Sequence, residues 1–141
     1  MVASHQRVTT TKRRSFEEVE MAKTILVIDD SASLRQVVKM ALTGAGYNVI
    51  EAGDGQAALA LLDGRQVNMA ICDVNMPIMN GIEFVRAAKA LAAYKFMPIL
   101  MLTTESQEEK KEQGKAAGAK AWMVKPFSPT QLVNAVSKLC V

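Results

Sequence analysis

From Lys23 onward the chain alternates short apolar runs with stretches in which apolar residues recur every three or four positions. The runs are Thr24 to Ile28, Tyr47 to Glu51, Asn68 to Cys72, Met97 to Leu102 and Ala121 to Val124, each of strand length. In three of them, Ile25 to Ile28, Met69 to Cys72 and Ile99 to Leu102, every consecutive residue is apolar. A strand with one wet face alternates, so these three read as strands covered on both faces by helices, which is the pattern of a parallel sheet.

The intervening stretches have helical spacing. Leu34, Val37, Val38, Ala41 and Leu42 fall at i, i+3, i+4, i+7 and i+8, and Gly44 and Gly46 stop that helix. Leu59, Leu61 and Leu62 belong to a second helix ended by Asp63-Gly64; Ile82, Val85, Ala88 and Leu91 mark a third, and Leu132, Val133, Val136 and Leu139 a last one. Ser128-Pro129-Thr130-Gln131 opens the last helix with a Ser cap, a first-turn Pro and a Gln placed for a capping box, the sharpest boundary in the chain. The fourth helix, Ser106 to Ala117, lacks large apolar side chains and contains Gly114, which costs ~1 kcal/mol relative to Ala. It is predicted to be the least firmly held.

Five strand-helix units joined by right-handed crossovers make an α/β doubly wound sheet, whose ligand crevice lies beyond the carboxyl ends of the strands where the strand order reverses. The residues at those ends are Asp29 and Asp30 after the first strand, Asp73 after the third, Thr103 after the fourth and Lys125 after the fifth. With strand order 2-1-3-4-5, three carboxylates converge on one crevice flanked by a hydroxyl and an ammonium. Such a cluster calls for a cation, and oxygen ligands without His or Cys select a hard ion, best Mg²⁺. A phosphoryl group there would meet Lys125 and Thr103, and Asp73, expected to stand open to solvent in the loop Val74-Asn75-Met76-Pro77, is the best acceptor. Any one of these residues alone reads as a helix cap, a turn or a surface lysine. The complementary set at four strand ends outweighs those readings.

Composition narrows the field further. A chain of 141 residues, 50% apolar and 22% charged, fits one globular domain. No window reaches the roughly 18 apolar residues of a membrane span and no secretory h-region opens the chain, so a cytoplasmic protein is expected. Cys72 and Cys140 have neither metal-ligand nor disulfide spacing. The net charge of +3 is spread out, with no basic face interleaved with aromatics, and nucleic-acid binding is not expected. His5 lies in the polar first stretch, leaving no base for Ser/His or Cys/His catalysis, and no Gly-rich loop follows the first strand. Residues 1–20 are read as a mobile extension and residues 21–141 as the domain, with Met21 a candidate natural start.

Asp29-Asp30, Asp73 followed by Met76-Pro77 and Met79-Asn80-Gly81, then Leu102-Thr103, and Lys125-Pro126-Phe127 together resemble the signature of response-regulator receiver domains, of the stand-alone CheY-like kind. The resemblance spans residues 22 to 141 and implies a flavodoxin-like (βα)5 fold. It implies that Asp73 takes a phosphoryl group from a CheA-type sensor histidine kinase or a small donor such as acetyl phosphate. Mg²⁺ would be held by Asp30, Asp73 and the backbone carbonyl of Asn75, with Asp29 acting through water, while Lys125 and Thr103 bind the phosphoryl oxygens. Asn75 and Glu105 would modulate dephosphorylation. Thr103 and Trp122 would form the switch, moving to remodel the face of the fourth helix, fifth strand and last helix. Trp122 stands where Tyr or Phe is usual, and Thr104 where a smaller residue is common. Lys125-Pro126 is expected to be cis.

The leading reading is a monomeric phosphorylation switch, not an enzyme beyond its self-phosphorylation and self-dephosphorylation. Its partner could be the flagellar motor switch or another signalling protein, in chemotaxis or related motility control. A phosphate-sink role stays open. A Mg²⁺-dependent aspartyl-phosphate phosphohydrolase is the rival from another class, but such enzymes generally carry a general acid two residues after the nucleophile, where this chain has Asn75.

Overall fold

The computed structural model describes residues 22–104 and 108–141. Five strands, β1 (Thr24–Ile28), β2 (Asn48–Ala52), β3 (Met69–Asp73), β4 (Ile99–Thr103) and β5 (Ala121–Val124), alternate with helices α1 (Ala32–Gly44), α2 (Gly55–Leu61), α3 (Gly81–Lys89), α4 (Glu108–Ala117) and α5 (Pro129–Leu139). All neighbouring strands pair in parallel, in the order β2-β1-β3-β4-β5, as expected. The chain thus has the flavodoxin-like doubly wound fold. The extension expected at residues 1–20 lies outside the described residues.

Successive residues of a strand face opposite sides of the sheet, so the continuous apolar runs feed two cores at once. Leu26, Ile28, Ala70, Cys72, Ile99 and Met101 join Phe84 and Val85 of α3 on one side. Ile25, Val27, Met69, Ile71, Leu100 and Leu102 join Val38 and Leu42 of α1 and Leu132 and Val136 of α5 on the other. β3 and β4 are buried along their whole length. Fully burying one such side chain contributes roughly 1.5–3 kcal/mol, so the central strands anchor whatever their ends carry.

Local chemistry sets the helix starts. Ser31, Asp54, Asn80 and Ser128 accept from backbone amides three residues on, and the last two form complete capping boxes with Glu83 and Gln131. The Asp54 cap turns the chain from the end of β2 into α2 at Gly53-Asp54-Gly55. β2 begins one residue later than expected because the Tyr47 amide donates to the Leu42 carbonyl at the end of α1 (3.0 Å). Leu91 falls beyond α3, 38% exposed, and precedes a short 3-10 turn (Ala92–Tyr94) instead of extending the helix stripe. Lys125-Pro126 is cis, as expected.

Candidate functional site

The site is built on the carboxyl ends of adjacent strands. Ile28 and Cys72 are partners in the β1–β3 register, so the residues that follow them, Asp29 and Asp73, emerge next to each other. Carboxylate oxygens of Asp29, Asp30 and Asp73 lie within 4.8 Å of one another. Lys125, immediately after β5, reaches across to both strands. Its Nζ stands 3.1 Å from Asp73 Oδ1 and 3.2 Å from Asp29 Oδ2. Thr103 ends β4, the strand next to β3, and is buried, as are Asp29 and Asp73, while Asp30 is exposed. The five residues predicted from the strand ends are thus carried to one end of the sheet.

Asp73 is less open than its loop suggested, being only 7% exposed. The physical reason lies in its neighbours: Val74 turns into the core, Gly81 packs directly against the Asp73 carbonyl, and Lys125 covers the carboxylate. The loop from Val74 to Asn80 is fastened at both ends, by the Gly81 amide donating to the Val74 carbonyl (2.9 Å) and the Gly55 amide donating to the Met79 carbonyl (3.3 Å). Within it Ile78 adopts φ of 71°, a left-handed conformation uncommon for a β-branched residue. Asn75 is exposed on the same loop. Glu105 lies outside the described residues.

Asp29 is fixed from three directions. Its Oδ1 accepts from the Ser31 amide (2.9 Å), its Oδ2 from Lys125, and its backbone carbonyl from Arg35 Nη1. Arg35 also pairs with Glu51 of β2 at 3.1 Å, joining the first strand-helix turn to the next strand. Nothing in the sequence separates Arg35 from the other polar residues of α1, and its supporting role is visible only in three dimensions.

Electrostatics follow from the crowding. Burial raises the pKa of Asp73 and the Asp29 charge raises it further, against the opposing pull of Lys125. Burial alone would lower the pKa of Lys125, but the charges and hydrogen bonds of Asp73 and Asp29 outweigh it, and the net shift is upward. Three carboxylates against one ammonium leave a net negative, oxygen-lined crevice. That donor set, without His or Cys, fits a hard divalent cation sharing its remaining positions with water or a phosphate oxygen.

The family model described as response regulator receiver domain matches residues 25–137. The chain belongs to that family. Among related receiver domains, it is 41% identical over 110 residues to a chemotaxis protein CheY homolog of Campylobacter jejuni, covering 77% of this chain and 85% of the relative. It is 34% identical over 116 residues to the chemotaxis protein CheY of Pseudomonas aeruginosa, covering 82% and 94%. A phosphate regulon transcriptional regulatory protein, PhoB of the same species, is 39% identical over 113 residues, but this chain spans only 49% of its length. Among solved structures, the chemotaxis response regulator CheY4 of Vibrio cholerae matches with a TM-score of 0.80 and 48% identity, over 84% of this chain and 99% of that one. The receiver domain described here is therefore CheY-like in fold and sequence. No helix among its described residues is long and apolar enough to cross a membrane.

Proposed function

We propose that this receiver domain is a phosphorylation switch in which Asp73 accepts a phosphoryl group from a CheA-type histidine kinase, in chemotaxis or related motility signalling. The observation that carries the reading is the Lys125 ammonium seated between the Asp73 and Asp29 carboxylates at the switch point of the sheet. The 48% identity to CheY4 supports the chemotactic assignment.

Asp29, Asp30, Asp73 and the backbone carbonyl of Asn75 would hold Mg²⁺, which supplies neutralisation of phosphate oxygens when bound. An Asp73 carboxylate oxygen attacks phosphorus. The bond from phosphorus to the donor, a histidine nitrogen or the acyl oxygen of acetyl phosphate, breaks as the new aspartyl anhydride forms, and the leaving nitrogen or oxygen keeps the electron pair. Lys125 is placed to move from balancing two carboxylates to balancing phosphoryl oxygens, and Thr103 supplies a hydroxyl donor from the neighbouring strand end. Thr103 and Trp122 then change the face formed by α4, β5 and α5, where an output partner binds. Asn75 and Glu105 set how fast the anhydride hydrolyses.

The test is a phosphate-affinity gel of wild type and Asp73→Asn after incubation with acetyl phosphate, with and without Mg²⁺. A retarded band that requires both Asp73 and Mg²⁺ is expected. A retarded band in Asp73→Asn, or none in folded wild type, sinks the assignment.

A further inference from the structure

Trp122 is the chain's only tryptophan. It lies on β5, half-buried, packed against the core shared by α2 and α3. α4 meets it through a charge: the Lys111 ammonium stands over the indole ring, 4.8 Å from its centroid. An indole face attracts a cation, and the residue that supplies it here, Lys111, is itself half-buried.

The rest of α4 gives this contact unusual weight. Its sequence, Glu108 to Ala117, has no large apolar side chain, and among its described residues only Gly114 is buried. Gly114 offers no side chain: a Cβ built there would stand 3.8 Å from Met101 Cγ, in open van der Waals range. None of the described charged side chains of α4 forms an ion pair. A helix held this loosely can be biased by one modest interaction.

We infer that Lys111 is a positioning residue that latches Trp122 in the orientation of the unloaded domain, and so governs how readily Asp73 is phosphorylated. The inference rests on the switch reading above. A contact made in one state and lost in the other shifts the equilibrium by its own free energy. A partly exposed cation–π contact corresponds to about a two- to fivefold effect.

Two variants test it. Lys111→Ala removes the cation while keeping the best helix former, and Lys111→Arg keeps a cation over the ring. Two readouts are taken on the full chain: the initial rate of loading from acetyl phosphate with Mg²⁺, and quenching of Trp122 fluorescence by iodide against caesium. Lys111→Ala should load about two- to fivefold faster than wild type, lose the preference for the anionic quencher, and be restored on both counts by Arg. Removing a positive charge would slow capture of an anionic donor through the general field, so a faster rate has the sign only a latch predicts. If wild type loads and Lys111→Ala loads at the same rate or slower, or if the quencher preference is unchanged, the latch is wrong and the switch reading stands. If wild type does not load, both fall together.

Discussion

Gly81, the first residue of α3, lies so close to Asp73 that a Cβ added to it would fall 2.2 Å from the Asp73 carbonyl oxygen. No side chain fits there without moving the strand end. Gly81→Ala should therefore destabilise the domain by about 3 kcal/mol, the upper range for overpacking. It should also slow Asp73 loading, because the displaced backbone carries the acceptor. Urea denaturation and the phosphate-affinity gel measure the two effects, and an Ala variant of wild-type stability would contradict so close a packing of α3 on the strand end.

Neutralising the crowded carboxylate should stabilise the metal-free protein. In EDTA at neutral pH, Asp73→Asn should be more stable than wild type, because burial and the Asp29 charge disfavour the ionised carboxylate that the amide replaces. The pH dependence has a definite sign. Burial and the Asp29 charge raise the Asp73 pKa above its unfolded value of 3.8, so between 3.8 and the native value the folded state binds more protons. Wild-type stability therefore rises as pH falls through that window, and the advantage of Asp73→Asn shrinks. Lys125 acts at the other end: its pKa is raised above 10.5, so its contribution is complete below that pH and is lost as pH climbs through the native value. Paired denaturation curves from acid to alkaline pH check both limbs.

Gly114 is a glycine that nothing requires. Its φ is not in the left-handed region, and a Cβ would meet Met101 Cγ at 3.8 Å, an ordinary contact. Gly114→Ala should add roughly 0.5–1 kcal/mol by removing backbone entropy from the unfolded chain and filling space against β4. Amide exchange should slow within α4 more than elsewhere.

The thiols should be silent in the folded protein. Cys72 is fully enclosed, and burial, reinforced by the nearby Asp73 and Asp29 charges, pushes its pKa well above 9.0. Burial also raises that of Cys140, against a smaller opposing effect of Lys23. A disulfide-exchange reagent at mild alkaline pH should label both only after denaturation. Rapid native labelling of Cys72 would mean that the strand end opens far more readily than the packing allows.

Much of this architecture was legible because strand burial leaves a strong local trace. β1 and β5 run over the residues their apolar runs suggested, and the remaining strands begin or end one or two residues away. The acidic triad and Lys125 were legible for a related reason, since a polar residue directly after an apolar strand has few other places to go. What stayed hidden depends on contacts distant in sequence. The clash that forbids a side chain at Gly81 involves a carbonyl rather than a residue type, and the enclosure of Asp73 comes from Val74, Gly81 and Lys125 acting together. Lys111 over Trp122 is equally invisible, because every polar position of α4 looks alike until β5 is set beside it. Arg35 is a similar case, distinguished from its helix neighbours only by reaching the Asp29 carbonyl.

The β1–β3 pairing also works as a caliper. Ile28 faces Cys72 in the ladder, and each acidic residue follows by one step of about 3.3 Å along its own strand. The gap between the two carboxylates is thus gauged by main-chain hydrogen bonds, while slipping the pairing by one residue would exchange the contents of both cores. Outward-facing side chains of the helices take no part in that gauge. They can be rewritten to suit one partner or another while the spacing that the chemistry depends on is handed on unchanged.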